Sequence, residues 1–381
     1  MDLLQTVADY LPHLLSAPLL PLAALAVSVL ALSTLTAADT TVQARQEQRL
    51  KEESGEALML TKMHAIGFGV MASLGLLAMW LWSNVLVYMS LFTFGLGSFV
   101  SIQQCMPDIM QRLGLGRGQP WHHLTAAGLM VMSWFWQRNS SNAWLFQDIL
   151  GGFTITLMLR VLKASSMASP TLLLLTAFVY DVFFVFVTPY LTKSGESIME
   201  AAATGAAMTV NETIPMLFRI PSQKGEAMLG FGDVVLPGIL ITFLKECDAR
   251  LEEDCTPWTD LAKSHSSLTT GIKSWWRGRW GYHTTAILGY LVGLEVTFVA
   301  MMWSHKGQPA LLYLVPCTIV PVALLASRRH ELSLLWNGWA ELEASLEEDQ
   351  DAVNEKEAEE DSTRSTAQGP VMLVPSKELS I

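Results

Sequence analysis

Long apolar stretches, separated by short polar segments, make up most of this chain. Nine of them approach the length that an α-helix needs to cross a bilayer, roughly 17 to 25 residues. They cover residues 14–35, 63–82, 85–105, 123–136, 144–162, 171–191, 228–243, 283–303 and 310–326. The fourth and seventh stretches are short, so eight crossings are the alternative count. The pattern predicts an all-α, polytopic membrane protein with about nine transmembrane helices.

Composition supports this class and excludes others. Hydrophobic residues make up 51% and charged residues 15% of the 381 positions, with a mean hydropathy of +0.34, whereas a soluble domain carries about 25% charged residues. Disordered, collagen-like and coiled-coil proteins are excluded. The four cysteines are too widely spaced for a disulfide framework or a zinc site, and no segment matches a nucleic-acid-binding pattern.

The net charge of −11 is concentrated at one end of the chain. Residues 341–381 contain 12 acidic and 3 basic residues, whereas the residues before them contain 23 and 21. A tail of this composition is expected to stay solvated and disordered. Two regions follow: a nine-span domain over residues 1–340 and an acidic tail over residues 341–381.

The positive charges orient the spans. With the amino end outside, the inner loops hold 14 Lys and Arg residues and the outer loops hold 5, as expected because these residues collect on cytosolic loops. The glycosylation sequons at Asn139 and Asn211 also fall on the outer side. The first stretch is too long for the apolar core of a cleaved signal peptide, so we expect it to be retained. We therefore predict a lumenal amino end and a cytosolic carboxyl end.

Two aspartates lie inside apolar stretches, where a charge is costly and marks a functional site. Asp181 is midway through the sixth span and Asp233 follows a glycine-rich segment near the outer end of the seventh. With a helical rise of about 1.5 Å per residue, they lie about 15 Å and about 8 Å below the outer surface. The spans are antiparallel neighbours, so the two carboxyls are predicted to face each other.

Such a pair holds one proton between its two carboxyls, as in aspartic proteases. One carboxylate can take a proton from water while the other carboxyl donates to a peptide carbonyl. Gly230 and Gly232 would let another backbone approach, or would serve helix packing. Pro309 and Pro316 indicate disrupted backbone near the site, or a kinked helix start.

Other intramembrane polar residues have less specific interpretations. Glu295, in the eighth span, is expected to be neutral and packed against protein, or to act in hydration or substrate entry. Asp148, near the start of the fifth span, is expected at the membrane interface. Intramembrane acids by themselves favour a proton-coupled or cation-coupled transporter, but the repeated halves of a transporter are absent from the sequence.

Three motifs decide between these alternatives. Tyr180-Asp181, Gly230-Phe231-Gly232-Asp233 and Pro309-Ala310-Leu311 occur in this order on spans six, seven and nine. They resemble the YD, GxGD and PAL motifs of the presenilin and signal peptide peptidase family of intramembrane aspartyl proteases. The string over residues 308–316 and the outer amino end match the signal peptide peptidase side. Residues 188–199 and 329–333 are similar to its endosomal and lysosomal peptidase-like branch.

The resemblance implies roles for individual residues. The catalytic pair would be Asp181 and Asp233. The residues that shape the site or contact substrate would be Tyr180, Gly230, Phe231, Gly232, Gln308, Pro309, Ala310 and Leu311. No cofactor and no metal are implied, and the sequence has neither a zinc-protease nor a serine-hydrolase motif.

The implied protein is a presenilin-like or signal peptide peptidase-like endopeptidase whose protease domain covers residues 1–340. It would use an activated water to cleave peptide bonds within transmembrane helices of type II proteins, or within leftover signal peptides. Its partners would be those segments and the lipid bilayer, with no nucleic acid, and a homo-oligomer is compatible with the sequence. It would lie in the endoplasmic reticulum or in Golgi, endosomal or lysosomal membrane. A transporter, a presenilin-like channel and an inactive homologue remain as rivals.

Overall fold

The structure, a computed structural model, describes residues 19–37, 58–60, 62–116, 118–138, 140, 142–191, 215–222, 225–254, 281–304 and 308–338. The candidate sequons at Asn139 and Asn211 and the acidic tail over residues 341–381 lie outside these ranges. The predictions made for them therefore stay predictions.

Helices dominate the described ranges. In chain order the elements are α1 (Leu19–Ala37), β1 (Leu58–Leu60), α2 (Lys62–Leu81), α3 (Ser83–Arg112), α4 (Pro120–Gln137), α5 (Ala143–Val161), β2 (Leu162–Ala164), α6 (Ala168–Val182), a π-helical turn (Phe183–Val187), α7 (Thr188–Leu191), β3 (Leu217–Ser222), β4 (Gly225–Gly230), α8 (Gly232–Asp254), α9 (Tyr282–Ser304), α10 (Leu311–Arg328) and α11 (Leu332–Asn337). Strands β1 and β2 pair in parallel, and β3 and β4 form an antiparallel hairpin.

Each of the nine predicted spans overlaps one of the long helices. Within the part of the chain that the structure describes, four helical segments have the length and hydropathy of a membrane crossing, namely Val85–Arg112, Ala168–Tyr190, Tyr282–Ser304 and Leu311–Arg328. The prediction of an all-α polytopic membrane fold is confirmed. The number of crossings stays a prediction.

The seventh span begins later than predicted. Residues 228–230 belong to strand β4, and the helix begins at Gly232. A short apolar run does not distinguish a strand from a helix, and the two glycines around Phe231 disfavour helix at this point. Asp233 therefore lies on the first turn of α8, not one and a half turns into it.

Helix α8 lies at the centre of the molecule. It packs against α1, α5, α6, α9 and α10. Residues 236–244 are all buried, and Val234, Ile239, Leu240 and Leu244 belong to one core cluster with residues of α1, α6, α9 and α10. Because bilayer lipid is as apolar as these side chains, close packing is what holds such helices together. The start of α8 is thereby fixed with respect to α6 and α10.

Helix α6 changes its winding just after Asp181. Thr188 N–H donates to the carbonyl of Phe183, five residues earlier. Pro189 has no N–H to offer to the carbonyl of Val185, so the regular ladder is interrupted at this point. Single π-helical turns of this kind are frequent at functional sites.

Helix α10 is continuous. Pro316 and Pro321 both lie inside it, so Pro316 removes a backbone donor without ending the helix. The irregular backbone lies instead before Leu311, where Pro309 and Ala310 form the turn into the helix.

Candidate active site

Asp181 lies on the buried face of α6 and contacts the start of α10. Its side chain is 5% exposed, and its Oδ2 accepts a hydrogen bond of 3.2 Å from the backbone N–H of Leu311. Leu311 is the first residue of α10. The first N–H groups of a helix have no partner within it and carry the positive end of the helix dipole. This position favours a carboxylate.

Asp233 has a similar environment on the first turn of α8. The backbone N–H of Gly230 donates to its carboxylate. Gly230 is the last residue of β4 and pairs with Leu217 of β3. A Cβ at position 230 would lie 3.0 Å from Asp233 Oδ2, which is closer than an ordinary contact. Glycine here leaves room for the carboxylate, and because Gly230 lies in a strand it does not serve helix packing.

The structure brings the two aspartates into one site. Helices α6 and α8 pack against each other, and the carboxylates of Asp181 and Asp233 interact electrostatically. Each carboxylate accepts a backbone N–H and lies at the N-terminus of a helix. The site thus supplies two acids with matched backbone donors.

The Pro309-Ala310-Leu311 loop is held from several sides. The carbonyl of Ala310 accepts from Leu314 N–H at 3.1 Å, and Thr297 Oγ1 of α9 lies 3.5 Å from it. Pro309 is buried. Gln308 does not reach the aspartates in the described contacts, since its Nε2 donates to Ser304 Oγ at the end of α9 at 2.9 Å. Gln308 therefore ties α9 to the loop.

The other predicted site residues have distinct environments. The ring of Phe231 packs on Phe218 at a centroid distance of 4.7 Å, and its backbone N–H donates to the carbonyl of Met216. The ring of Tyr180 packs on Phe184, one turn further along, at 4.7 Å. Gly232 is exposed, and a Cβ there would meet no atom within 4 Å.

Two residues of α5 contact the hairpin and were not predicted to do so. Gln147 Nε2 donates to the carbonyl of Leu217 at 2.7 Å, and Asp148 Oδ1 accepts from Arg219 N–H at 3.0 Å. The side chain of Asp148 is 4% exposed and packs against β3, and its expected depth at the membrane interface stays a prediction. The signal in the sequence was an adjacent amide and acid within an apolar stretch.

Tyr290 of α9 was also missed. Its side chain is fully buried, its hydroxyl has no hydrogen-bond partner among the described residues, and it interacts electrostatically with Asp233. Glu295, five residues further along α9, is partly exposed. Within the described ranges no group of three or more His, Cys, Asp or Glu side chains has the geometry of a metal site.

Comparison with known proteins places the chain in a family. The family model for signal peptide peptidase matches residues 52–341. The chain is 31% identical to signal peptide peptidase-like 2B of Homo sapiens over 76% of this chain and 49% of that protein.

Two further relatives agree. The chain is 34% identical to signal peptide peptidase-like 2C of Mus musculus over 66% of this chain and 36% of that protein. It is 32% identical to signal peptide peptidase-like 2A of Homo sapiens over 66% of this chain and 48% of that protein. The chain thus spans about half the length, or less, of these relatives. It is an integral membrane protein and belongs to the signal peptide peptidase family.

Proposed function

We propose that this protein is an intramembrane aspartyl endopeptidase in which Asp181 and Asp233 together hydrolyse peptide bonds within transmembrane helices. The observation that carries this proposal is the paired environment of the two acids. Each accepts one backbone N–H at the start of a helix, and the two carboxylates interact with each other. Family membership supports the same reaction.

In the proposed reaction, the ionised carboxylate of the pair takes a proton from a water molecule while the water oxygen bonds to the peptide carbonyl carbon. The protonated carboxyl gives its proton to the carbonyl oxygen, which yields a neutral tetrahedral diol. The C–N bond then breaks as the amide nitrogen receives a proton from the first carboxyl and a diol hydroxyl returns one to the second. The backbone N–H groups of Leu311 and Gly230 hold the two carboxyls in place through this exchange.

The substrate helix must unwind before attack, because helical carbonyls are shielded and already hydrogen-bonded. The hairpin offers an extended segment a place to bind. The outer edge of β3 is occupied by Gln147 and Asp148, so β4 is the edge to which a substrate strand can add. Strand β4 ends at Gly230, next to Asp233, and the open space at Gly232 leaves room for a second backbone.

The proposed substrates are single-span proteins with a cytosolic amino end, including leftover signal peptides, and the proposed compartment is the endoplasmic reticulum or the Golgi and endosomal system. The compartment follows from the family resemblance, and the substrates follow from that resemblance together with the predicted orientation, in which the amino end of this chain is lumenal. Asn139 and Asn211 are proposed as glycosylation acceptors on the same grounds.

The test is cleavage of a type II model transmembrane peptide by the purified chain in liposomes, with products identified by mass spectrometry. Asp181→Asn and Asp233→Asn preserve side-chain volume and remove proton transfer, so each is expected to lower the rate by about 10² to 10⁴-fold. Asp108→Asn is the matched control. Asp108 lies on α3, which carries neither of the two aspartates. Its carboxylate is 27% exposed and pairs with Arg160 at 2.7 Å.

Full activity in either single aspartate variant would refute the assignment of the pair. A wild-type protein that conducts ions and does not cleave would favour a transporter or channel instead.

A further inference from the structure

The hairpin that leads into α8 is held by one face of α5. Gln147, Asp148 and Gly151 lie within four residues of each other on that helix, and residues three and four apart lie on one helical face. Gln147 and Asp148 bond to β3. A Cβ at Gly151 would lie 2.2 Å from the Cζ atom of Phe231. The hairpin therefore rests on α5 at both its first strand and its exit.

Gln147 and Asp148 bind β3 as a neighbouring strand would. Leu217 and Arg219 are two positions apart in β3. The carbonyl of Leu217 and the N–H of Arg219 therefore point to the same side of the strand. An amide donor and a carboxylate acceptor meet these two groups at 2.7 Å and 3.0 Å. The pair thus satisfies the edge of β3 and sets its register along α5.

Both side chains are buried, at 3% exposure for Gln147 and 4% for Asp148. A buried donor or acceptor without a partner costs about 1 to 3 kcal/mol, so the two bonds are costly to lose. Asp148 Oδ2, in contrast, is buried without a hydrogen-bond partner among the described residues. Only Oδ1 holds the strand, although the guanidinium of Arg219 also attracts the carboxylate.

Strand pairing and backbone hydrogen bonds connect the position of β3 to that of Asp233. Strand β4 pairs with β3, and Gly230 at the end of β4 lies opposite Leu217 at the start of β3. Gly230 N–H donates to Asp233. Phe231 accepts the N–H of Val235 at 2.8 Å, which joins the hairpin to the first turn of α8. A shift of β3 would therefore displace the donor that orients the carboxylate.

We propose that Gln147 and Asp148 form a clamp that holds β3 on α5 and thereby positions the Asp233 carboxylate, so that both are positioning residues for hydrolysis. This inference rests on the proposed function. The clamp acts mainly through hydrogen bonds to the strand backbone, and not through proton transfer.

The test compares conservative and disruptive variants of the full chain in liposomes. Asp148→Asn keeps an oxygen for Arg219 N–H and places its amide where Oδ2 has no partner, so its kcat should stay within a few-fold of wild type. Asp148→Leu and Gln147→Leu leave a strand group without a partner, and kcat should fall by about 10- to 100-fold, as expected for a displacement of up to about 1 Å. KM should change less than kcat, since the clamp does not contact substrate.

Hydrogen exchange provides a readout that does not depend on proteolysis. In the Asp181→Asn background, the backbone amides of residues 217–220 should exchange faster in the Asp148→Leu variant than with Asp148 intact or in the Asp148→Asn variant. This exchange measurement does not require that any peptide bond is cleaved. A failure of the clamp is therefore distinguishable from a failure of the proposed function. Thermal midpoints identify any variant that fails to fold.

The proposal is overturned if Asp148→Asn is as inactive as Asp148→Leu, because the carboxylate itself would then be needed. It is also overturned if folded Asp148→Leu protein retains wild-type kcat, or if exchange of the β3 amides is unchanged.

Discussion

Replacement of Gly289 by alanine tests whether the packing of α9 on α10 sets the geometry of the site. A Cβ at position 289 would lie 2.2 Å from the carbonyl oxygen of Cys317 and 3.2 Å from the Cα of Thr318, both backbone atoms of α10. Ordinary contact begins at 3.4 Å, so the helices must separate locally by about 1.2 Å. Because no flexible side chain can move aside, one of the two helices has to shift.

Either shift would reach an aspartate. Helix α10 begins at Leu311, whose N–H contacts Asp181 at 3.2 Å. Helix α9 packs on α8 and carries Tyr290, which interacts with Asp233. A misplacement of about 1 Å can cost about 10²-fold in rate, so Gly289→Ala is expected to lower kcat by about that factor. Overpacking should also lower stability by about 1 to 3 kcal/mol.

The assay is the initial rate of peptide cleavage in liposomes, normalised to folded protein. Gly293→Ala provides a graded comparison. Its Cβ would lie 3.0 Å from the Cα of Leu314, a shortfall of about 0.4 Å, so a smaller loss is expected. Gly97→Ala in α3 is the matched control, because its Cβ would meet no atom within 4 Å. It should retain activity and gain up to about 1 kcal/mol from helix propensity. Wild-type kcat in folded Gly289→Ala protein would refute the reasoning.

Two further predictions concern stability. Gly151→Ala should lower stability by about 1 to 3 kcal/mol, because its Cβ would lie 2.2 Å from Phe231 Cζ. Adding Phe231→Leu should restore part of the loss in a thermal unfolding measurement. A double variant that is no more stable than Gly151→Ala alone would contradict this. Asp248→Ala should lower stability by about 1 to 2 kcal/mol, because Asp248 accepts the N–H groups of Tyr282 and His283 at 2.9 Å each. Asp248→Asn, which keeps one acceptor, should lose less, and equal thermal midpoints for both variants would argue against the capping role.

The helical segments could be predicted from the sequence because lipid imposes a simple rule. A spanning segment must be apolar and must satisfy its own backbone, so each long apolar stretch marks a helix. The three motifs indicated the family for a similar reason. Each is a short string of neighbouring residues, which can be recognised in the sequence without knowledge of the fold. Asp181 and Asp233 stood out because acids are rare at such depth.

The hairpin and its clamp could not be predicted in this way. Residues 228–230 are apolar enough for either a strand or a helix, and their pairing partner lies before them in the chain. The bonds from Gln147 and Asp148 to β3 join residues about 70 positions apart. Local patterns contain no information about such partners, so the contact between Asp148 and β3 could not be predicted.

The sequence by itself determined which segments form long apolar helices, which family the motifs resemble and which two acids are candidates for catalysis. Tertiary structure alone decided what each acid contacts. The N–H that reaches Asp181 comes from Leu311, 130 residues away, and the donor to Asp233 is presented by a strand that α5 holds. The physical reason is that hydropathy and helix propensity are local properties, whereas hydrogen bonds to a buried carboxylate depend on how distant helices pack.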